Sequence, residues 1–407
     1  MKKILLILLF LPAIIFAQTY ELDDLIELGL QNSYEMQTES LNIIDSEANL
    51  RSSLYTVLPN VSTSLGKTQN NGTWGDINSG LSISESLYLD EPRFFSIRNA
   101  FLTKDNDKLT YEDFKKNIAY NIFKKFINVL QAQKRIEIKQ ENHKLQQKIR
   151  EQLQIKFDSG EKSLLELKQS EINLLRSSID LKETTTSLKQ SRTDLFAAVN
   201  VEDDGYMLAE PDFETDRNFD SLGKNNEQKR YENFLTSSKL NKVQSLLNLF
   251  PTFSLTGSRN YSKTDEVLDF PNYESTWSLA LGASFNVFGT LDNYENYVKK
   301  KHDLRRTEFS IQKYDRDLQI STTKLLENIE AKEVTLKMQK EMMKLAEENL
   351  QMAHERFNLG MISLTELDQI QLDFLNSQES YNDIYYSLID LREQLNLLHS
   401  NKILDRW

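Results

Sequence analysis

Residues Phe157 to Leu167 read FDSGEKSLLEL and residues Phe357 to Leu367 read FNLGMISLTEL, so Phe, Gly, Ser, Leu, Glu and Leu recur at matched positions with Gly160 and Gly360 200 residues apart. Whatever this chain folds into must accommodate two copies of one unit. Each copy runs on into the same heptad: Leu167, Leu174, Leu181, Leu188 and Leu195 in the first, Leu367, Phe374, Tyr381, Leu388 and Leu395 in the second. A seven-residue apolar spacing is the seam of a coiled coil. The stretches before the two glycines, Arg93 to Ser159 and Thr290 to Leu359, contain neither Gly nor Pro. At about 1.5 Å per residue, each is predicted to be a single helix on the order of 100 Å long. Each glycine then supplies the backbone freedom for the bend of a long helical hairpin. The expected molecule is elongated.

The chain opens with Lys2 and Lys3, an apolar run from Ile4 to Phe16 and a small residue at Ala17, the pattern of a secretory signal peptide over residues 1–17. Pro12 interrupts that run, which is short for a bilayer-spanning helix. With no cysteine, the chain has no disulfide and no thiol to receive a lipid. The expectation is an exported, non-lipidated protein. Net charge is -12, from 61 acidic against 49 basic residues, which argues against a nucleic-acid partner.

No later segment has an apolar run of transmembrane length, so membrane insertion would have to use strands. The Gly and Pro residues cluster in Pro59 to Pro92 and Pro251 to Gly289, and there the pattern has period two. Val61, Thr63, Leu65, Leu81, Ile83 and Leu87 alternate with Ser and Gly; Phe253, Leu255, Tyr261, Trp277, Leu279, Leu281, Phe285 and Val287 alternate with Ser, Thr, Ala, Gly and Asn. One face is apolar and the other small and polar. A soluble sandwich can produce this, but strands of about 10 residues in an exported chain, with Trp74, Tyr88, Tyr261, Tyr273 and Trp277 towards strand ends, fit a membrane barrel with an aromatic girdle. Glu85 and Arg259 fall on the apolar face and require a boundary position. Four strands alone would leave edge groups unpaired in lipid at several kcal/mol each, so the chain must oligomerise. Two copies close a barrel that side chains fill. Three leave room for a water-filled duct and are the favoured number.

In this order of elements the chain resembles the TolC-like outer membrane efflux family. The residues that carry the resemblance are LPNVSTSLG at Leu58 to Gly66, FPTFSLTGS at Phe250 to Ser258, and the two bends at Gly160 and Gly360. It implies a mainly helical fold with membrane β structure: long antiparallel helical hairpins forming an α-barrel tunnel, and two β-hairpins giving four strands to a twelve-stranded barrel shared by a homotrimer. It further implies a passive exit duct in the bacterial outer membrane with a long periplasmic portion. Such a duct docks by its helical tips onto a periplasmic membrane-fusion adaptor and serves an inner-membrane transporter of RND or ABC type, in efflux or type I secretion. The expected organisation is a first repeat over 18–200 (strand pair about 58–90, hairpin about 92–200, tip 157–163) and a second over 226–407 (strand pair about 251–288, hairpin about 290–400, tip 357–363). Further helical stretches are expected at Glu21 to Tyr55 and Gln228 to Leu249. Between the repeats, 201–225 loses the period and reads as a linker, either packed outside the tunnel or a disordered connector.

The tips hold the candidate functional residues. For adaptor docking these are Phe157, Gly160, Ser163, Leu164, Phe357, Gly360, Ser363 and Leu364. For a periplasmic entrance gate they are Glu166, Glu366 and Asp368. In a trimer the matched glutamates would form six carboxylates at one level, with Asp368 adding three, and carboxylate rings select cations. The competing reading is a capping box, since Ser163 and Ser363 are good N-caps with Glu three residues later. The family tip carries Tyr where Phe157 and Phe357 stand and an arginine at Ile362, so closure here is expected to rest on apolar packing of Phe157, Phe357, Met361 and Ile362. Catalysis has little support: His143, His302, His354 and His399 sit singly in charge-rich helical context, and no cysteine nucleophile or Gly-rich phosphate loop is present. No cofactor or metal is expected. The alternative class is a periplasmic coiled-coil scaffold without a channel, which shares the heptads but has no need of alternating strands. A surface adhesin would expose the long helices to protease on intact cells.

Overall fold

The computed structural model describes residues 20–70, 72–88, 91–205, 208–211, 213, 223–265 and 274–403. The proposed signal segment, the loop around Asp269 and Tyr273 fall outside these residues. Seven helices and four strands are seen among them: α1 (Leu22–Asn32), α2 (Tyr34–Tyr55), β1 (Asn60–Asn70), β2 (Thr73–Tyr88), α3 (Pro92–Asp158), α4 (Leu164–Val199), α5 (Asn226–Leu247), β3 (Thr252–Asp265), β4 (Glu274–Ser284), α6 (Gly289–Asn358) and α7 (Leu364–Leu398). The unbroken stretches become single helices of 67 and 70 residues. Pro92 opens α3, where its missing N–H costs nothing. Asn286 caps α6, its Oδ1 accepting from Gly289 N at 2.8 Å.

The residues form two compact units: Gln37–Phe114 with Gly223–Ile320, and Met1–Met36 with Lys115–Leu222 and Ser321–Trp407. The first holds one antiparallel sheet in the order β1-β2-β3-β4. Its register puts Val61, Leu65, Leu81, Ile83, Leu87, Phe253, Leu255, Trp277, Leu279 and Leu281 on one face. That face is open, with Trp277 80% and Leu281 85% exposed. The other face is small and polar and bonds across strands, Ser82 to Asn260 at 2.6 Å, Ser86 to Thr256 at 3.0 Å and Ser258 to Ser278 at 2.7 Å. The two charges that the sequence sets among the apolar residues, Glu85 and Arg259, have partners. Glu85 accepts from Arg93 at 2.7 Å, and the Arg259 guanidinium lies 5.1 Å from the ring centre of Tyr261. Arg93 also donates to Glu91, to Thr56 O at 2.9 Å and to Ser86 O at 2.6 Å, tying the turn from β2 into α3. The alternation at Phe285 and Val287 continues past the end of β4 at Ser284, so it is not all strand.

The second unit holds the two hairpin tips and the main core. Leu25, Ile26, Ala119, Ile122, Phe123, Phe126, Leu195, Phe196 and Val199 interlock there, with Tyr386 and Ile389 of α7. Of the linker, Leu208 and Phe213 are buried in this cluster, Ala209 N donates to Tyr20 O at 3.1 Å, and Tyr386 donates to Glu210 at 2.9 Å. These described linker residues are packed. The helical stretch expected from Glu21 to Tyr55 is two helices, split at Ser33, whose hydroxyl accepts from Met36 N at 3.2 Å. A serine that caps the following turn competes with helix continuation without any Gly or Pro.

Candidate functional site

Both bends have the same local build. Gly160 has φ +81° and Gly360 φ +72°, in the left-handed region, and nothing lies within 4 Å of a side chain placed at either. The helix before each ends in matched backbone bonds, Gly160 N to Phe157 O at 2.9 Å and Glu161 N to Lys156 O at 2.8 Å, then Gly360 N to Phe357 O at 3.0 Å and Met361 N to Arg356 O at 2.8 Å. Such bonds satisfy carbonyls that the ending helix leaves open. Three residues on, the next helix starts with a capping box. Ser163 Oγ accepts from Glu166 N at 3.3 Å while Glu166 Oε2 accepts from Ser163 N at 3.1 Å; Ser363 and Glu366 repeat this at 3.2 and 2.9 Å.

Beyond the backbone the two tips differ. In the second, Phe357, Leu364 and Leu367 are buried with Ile149, Leu153, Leu167, Leu350 and Ala353, and Phe157 and Ile362 pack at the edge of the cluster. In the first, Leu164 is 54% exposed where its counterpart Leu364 is 3%. Ile155, Leu165, Leu359 and Met361 are exposed as well, so Met361 stays outside the apolar cluster.

The carboxylates are held separately. Lys162 donates to Glu166 at 2.7 Å and sits 5.4 Å from the ring centre of Phe357, so a first-tip cation reaches a second-tip aromatic. That ammonium, more than the Ser163 bonds, holds the Glu166 carboxyl below the usual glutamate range against the opposing effect of burial. Glu366 is held low by the Ser363 backbone N–H and then by its hydroxyl. Position 362 is isoleucine, so Glu366 has no counterpart of Lys162. Asp368 turns to α4, where Asn173 donates to its Oδ2 at 2.5 Å, and burial raises its carboxyl. Sequence reading grouped it with the two glutamates, but two positions along a helix is a turn of about 200° away from Glu366. Lys162 was not singled out from the sequence; its spacing of four from Glu166 was the available signal.

Two further heptads were missed. Met338, Leu345, Met352 and Leu359 are exposed at seven-residue intervals along and just past α6, and Leu165, Ile172 and Ile179 are exposed at the same interval on α4. The face of α4 that is buried carries Ser170, Ser177 and Thr184 beside the leucine heptad, each hydroxyl bonded back to its own helix.

These features agree with the comparisons. The model of the outer membrane efflux protein family matches residues 25–201. The TolC-like fold of its channels extends across the described chain. The outer membrane channel CmeC of Campylobacter jejuni superposes with a TM-score of 0.77 at 16% identity, covering 95% of this chain and 87% of that one. The outer membrane protein VceC of Vibrio cholerae gives 0.81 at 12%, covering 94% and 96%. The open state of the MtrE outer membrane channel of Neisseria gonorrhoeae gives 0.77 at 14%, covering 94% and 89%. No curated protein matches by sequence.

Proposed function

We propose that this chain is one protomer of a homotrimeric outer membrane channel-tunnel, the passive exit duct of a tripartite efflux or type I secretion system and not an enzyme. One observation carries the reading: the sheet has two free edges, β1 and β4, and a continuous apolar face, a combination that water and lipid both penalise until copies close it into a barrel. Three copies of four strands give a lumen lined by the Ser, Thr, Asn and Gly face, polar as in water-filled barrels. The exposed heptads support the same assembly. An α6 stripe meeting the α4 stripe of a neighbouring copy buries both, and because the two stripes differ the contact is heterologous and closes as a ring. The exported chain lies in the outer membrane with its hairpins in the periplasm. Its tips dock a membrane-fusion adaptor fed by an RND or ABC transporter of the inner membrane, and the tip carboxylates of three copies converge at the entrance. Size measurement by light scattering in detergent tests the assembly. A trimer is expected, and a monodisperse monomer with intact strand content overturns it.

A further inference from the structure

Within the tip unit, α3, α4 and α7 line a half-open cavity of about 250 Å³ whose wall is mostly amide and carboxylate. Two amide relays run along it. Gln169 Nε2 donates to Asn173 Oδ1 at 3.2 Å, and Asn173 Nδ2 donates to Asp368 Oδ2 at 2.5 Å. Gln146 Nε2 donates to Gln371 Oε1 at 3.2 Å, and Gln371 Nε2 donates to Asn142 Oδ1 at 2.6 Å. Each relay runs head to tail, one N–H of each donating amide meeting the next oxygen. Two oxygens on the wall stay outside the relays: Asp368 Oδ1 and Gln146 Oε1 are buried without a donor among the described residues, and Gln146 is only 6% exposed.

A buried oxygen without a donor costs about 1–3 kcal/mol, so two lining one cavity favour an occupant that takes up their lone pairs. We propose that this cavity is a binding site for a hard monovalent metal cation, sodium or potassium, held by Asp368 Oδ1 and Gln146 Oε1 with the remaining positions filled by water. Oxygen-only ligation selects hard cations, and no histidine or thiol that a transition metal would favour lines the cavity. Charge selects the valence. Asp368 and Asp180 carry two negative charges along the wall and Arg176 one positive, a net single negative charge. The cation ties α7 of the second hairpin to α3 of the first. All its ligands belong to one protomer, so the inference stands or falls apart from the trimeric reading.

The test is thermal unfolding of the full mature protein, in whatever oligomeric state it takes, in sodium, potassium or choline chloride at one ionic strength. Binding to the folded state alone raises the melting temperature with ligand concentration. A saturating rise in alkali-metal salt over choline is expected, lost in Asp368→Asn, which keeps the shape, and shifted to lower salt in Gln146→Glu, which adds charge. Equal melting in all three salts overturns the site, as does an alkali-metal effect that survives both substitutions. A rise with calcium chloride and none with sodium or potassium overturns the monovalent assignment.

Discussion

The two hairpin tips share a sequence pattern, a left-handed glycine and a capping box, yet one is built into the core and the other faces outward. Leu364 is 3% exposed and Leu164 54%. Local geometry is therefore set by the repeated residues, while burial is set by what each tip packs against: Phe357 and Leu364 lie against Leu153 and Leu167, and no equivalent cover lies over Leu164. The duplication supplies two hairpins of one design. Their roles need not be the same. In the proposed duct the second tip holds the hairpins together and the first presents apolar side chains to the adaptor.

The sharpest way to break this contrast is to remove the same atoms from both tips. Leu364→Ala should destabilise by about 2–5 kcal/mol, the range for emptying a buried leucine site. Leu164→Ala should change stability by less than about 0.5 kcal/mol, as a surface substitution does, while reducing export. Chemical denaturation with an export assay measures both. Equal losses of stability at the two positions would show that the tips are equivalent.

Replacing the glycines tests where the contrast stops. Gly160→Val and Gly360→Val each force a β-branched residue into the left-handed region at about 1–2 kcal/mol, and open space at both sites makes the two costs alike. Both should abolish export while trimer and membrane insertion persist, since the strain is confined to the bend. Normal export by either variant would remove that tip from docking.

Much of this arrangement was legible in the sequence. Period two against seven separated strands from helices, and the 200-residue spacing of Gly160 and Gly360 located the bends. What was not legible depended on neighbours. Leu164 and Leu364 hold the same position in the repeated Ser-Leu-x-Glu-Leu pattern, so the pattern does not tell which is covered. Asp368 was read by its nearness to Glu366, although helix geometry sends it to Asn173. The split at Ser33 was hidden because serine breaks a helix by capping and not by shape. Met338, Leu345 and Met352 form a heptad as regular as the leucine seams, but a face left free within one chain is revealed only by its exposure.

Lys162 offers a smaller test. The first tip has this lysine where the second has Ile362, and its pair with Glu166 is partly buried. Lys162→Met should cost about 0.5–1 kcal/mol, the scale of such a pair. A glutamate whose folded pKa is depressed contributes stability above its unfolded value of 4.5, and that contribution fades as pH falls through the folded value. Removing the ammonium raises the folded value of Glu166, so its contribution shrinks and fades at higher pH. Glu366, held by Ser363, should titrate as before. Melting curves across pH 3 to 6 check this; an unchanged acid profile means the ion pair contributes nothing.

A similarly small stability effect belongs to the most informative substitution. Glu166→Gln with Glu366→Gln keeps both capping boxes, because glutamine closes the box as glutamate does. At Glu366 the fold loses little, since its carboxylate bonds to its own cap; at Glu166 it loses the attraction of Lys162. The field at the entrance changes far more. If the six carboxylates of a trimer converge there, they draw cations into the mouth, and the glutamine variant removes all six charges without changing the shape. A reconstituted variant should then lose cation preference and block by divalent cations, read as a shift of reversal potential in asymmetric salt across a planar bilayer. If the glutamates serve only as caps, the reversal potential stays where it was, and the constriction is left to the apolar packing of Phe157, Phe357 and Ile362 around the buried second tip.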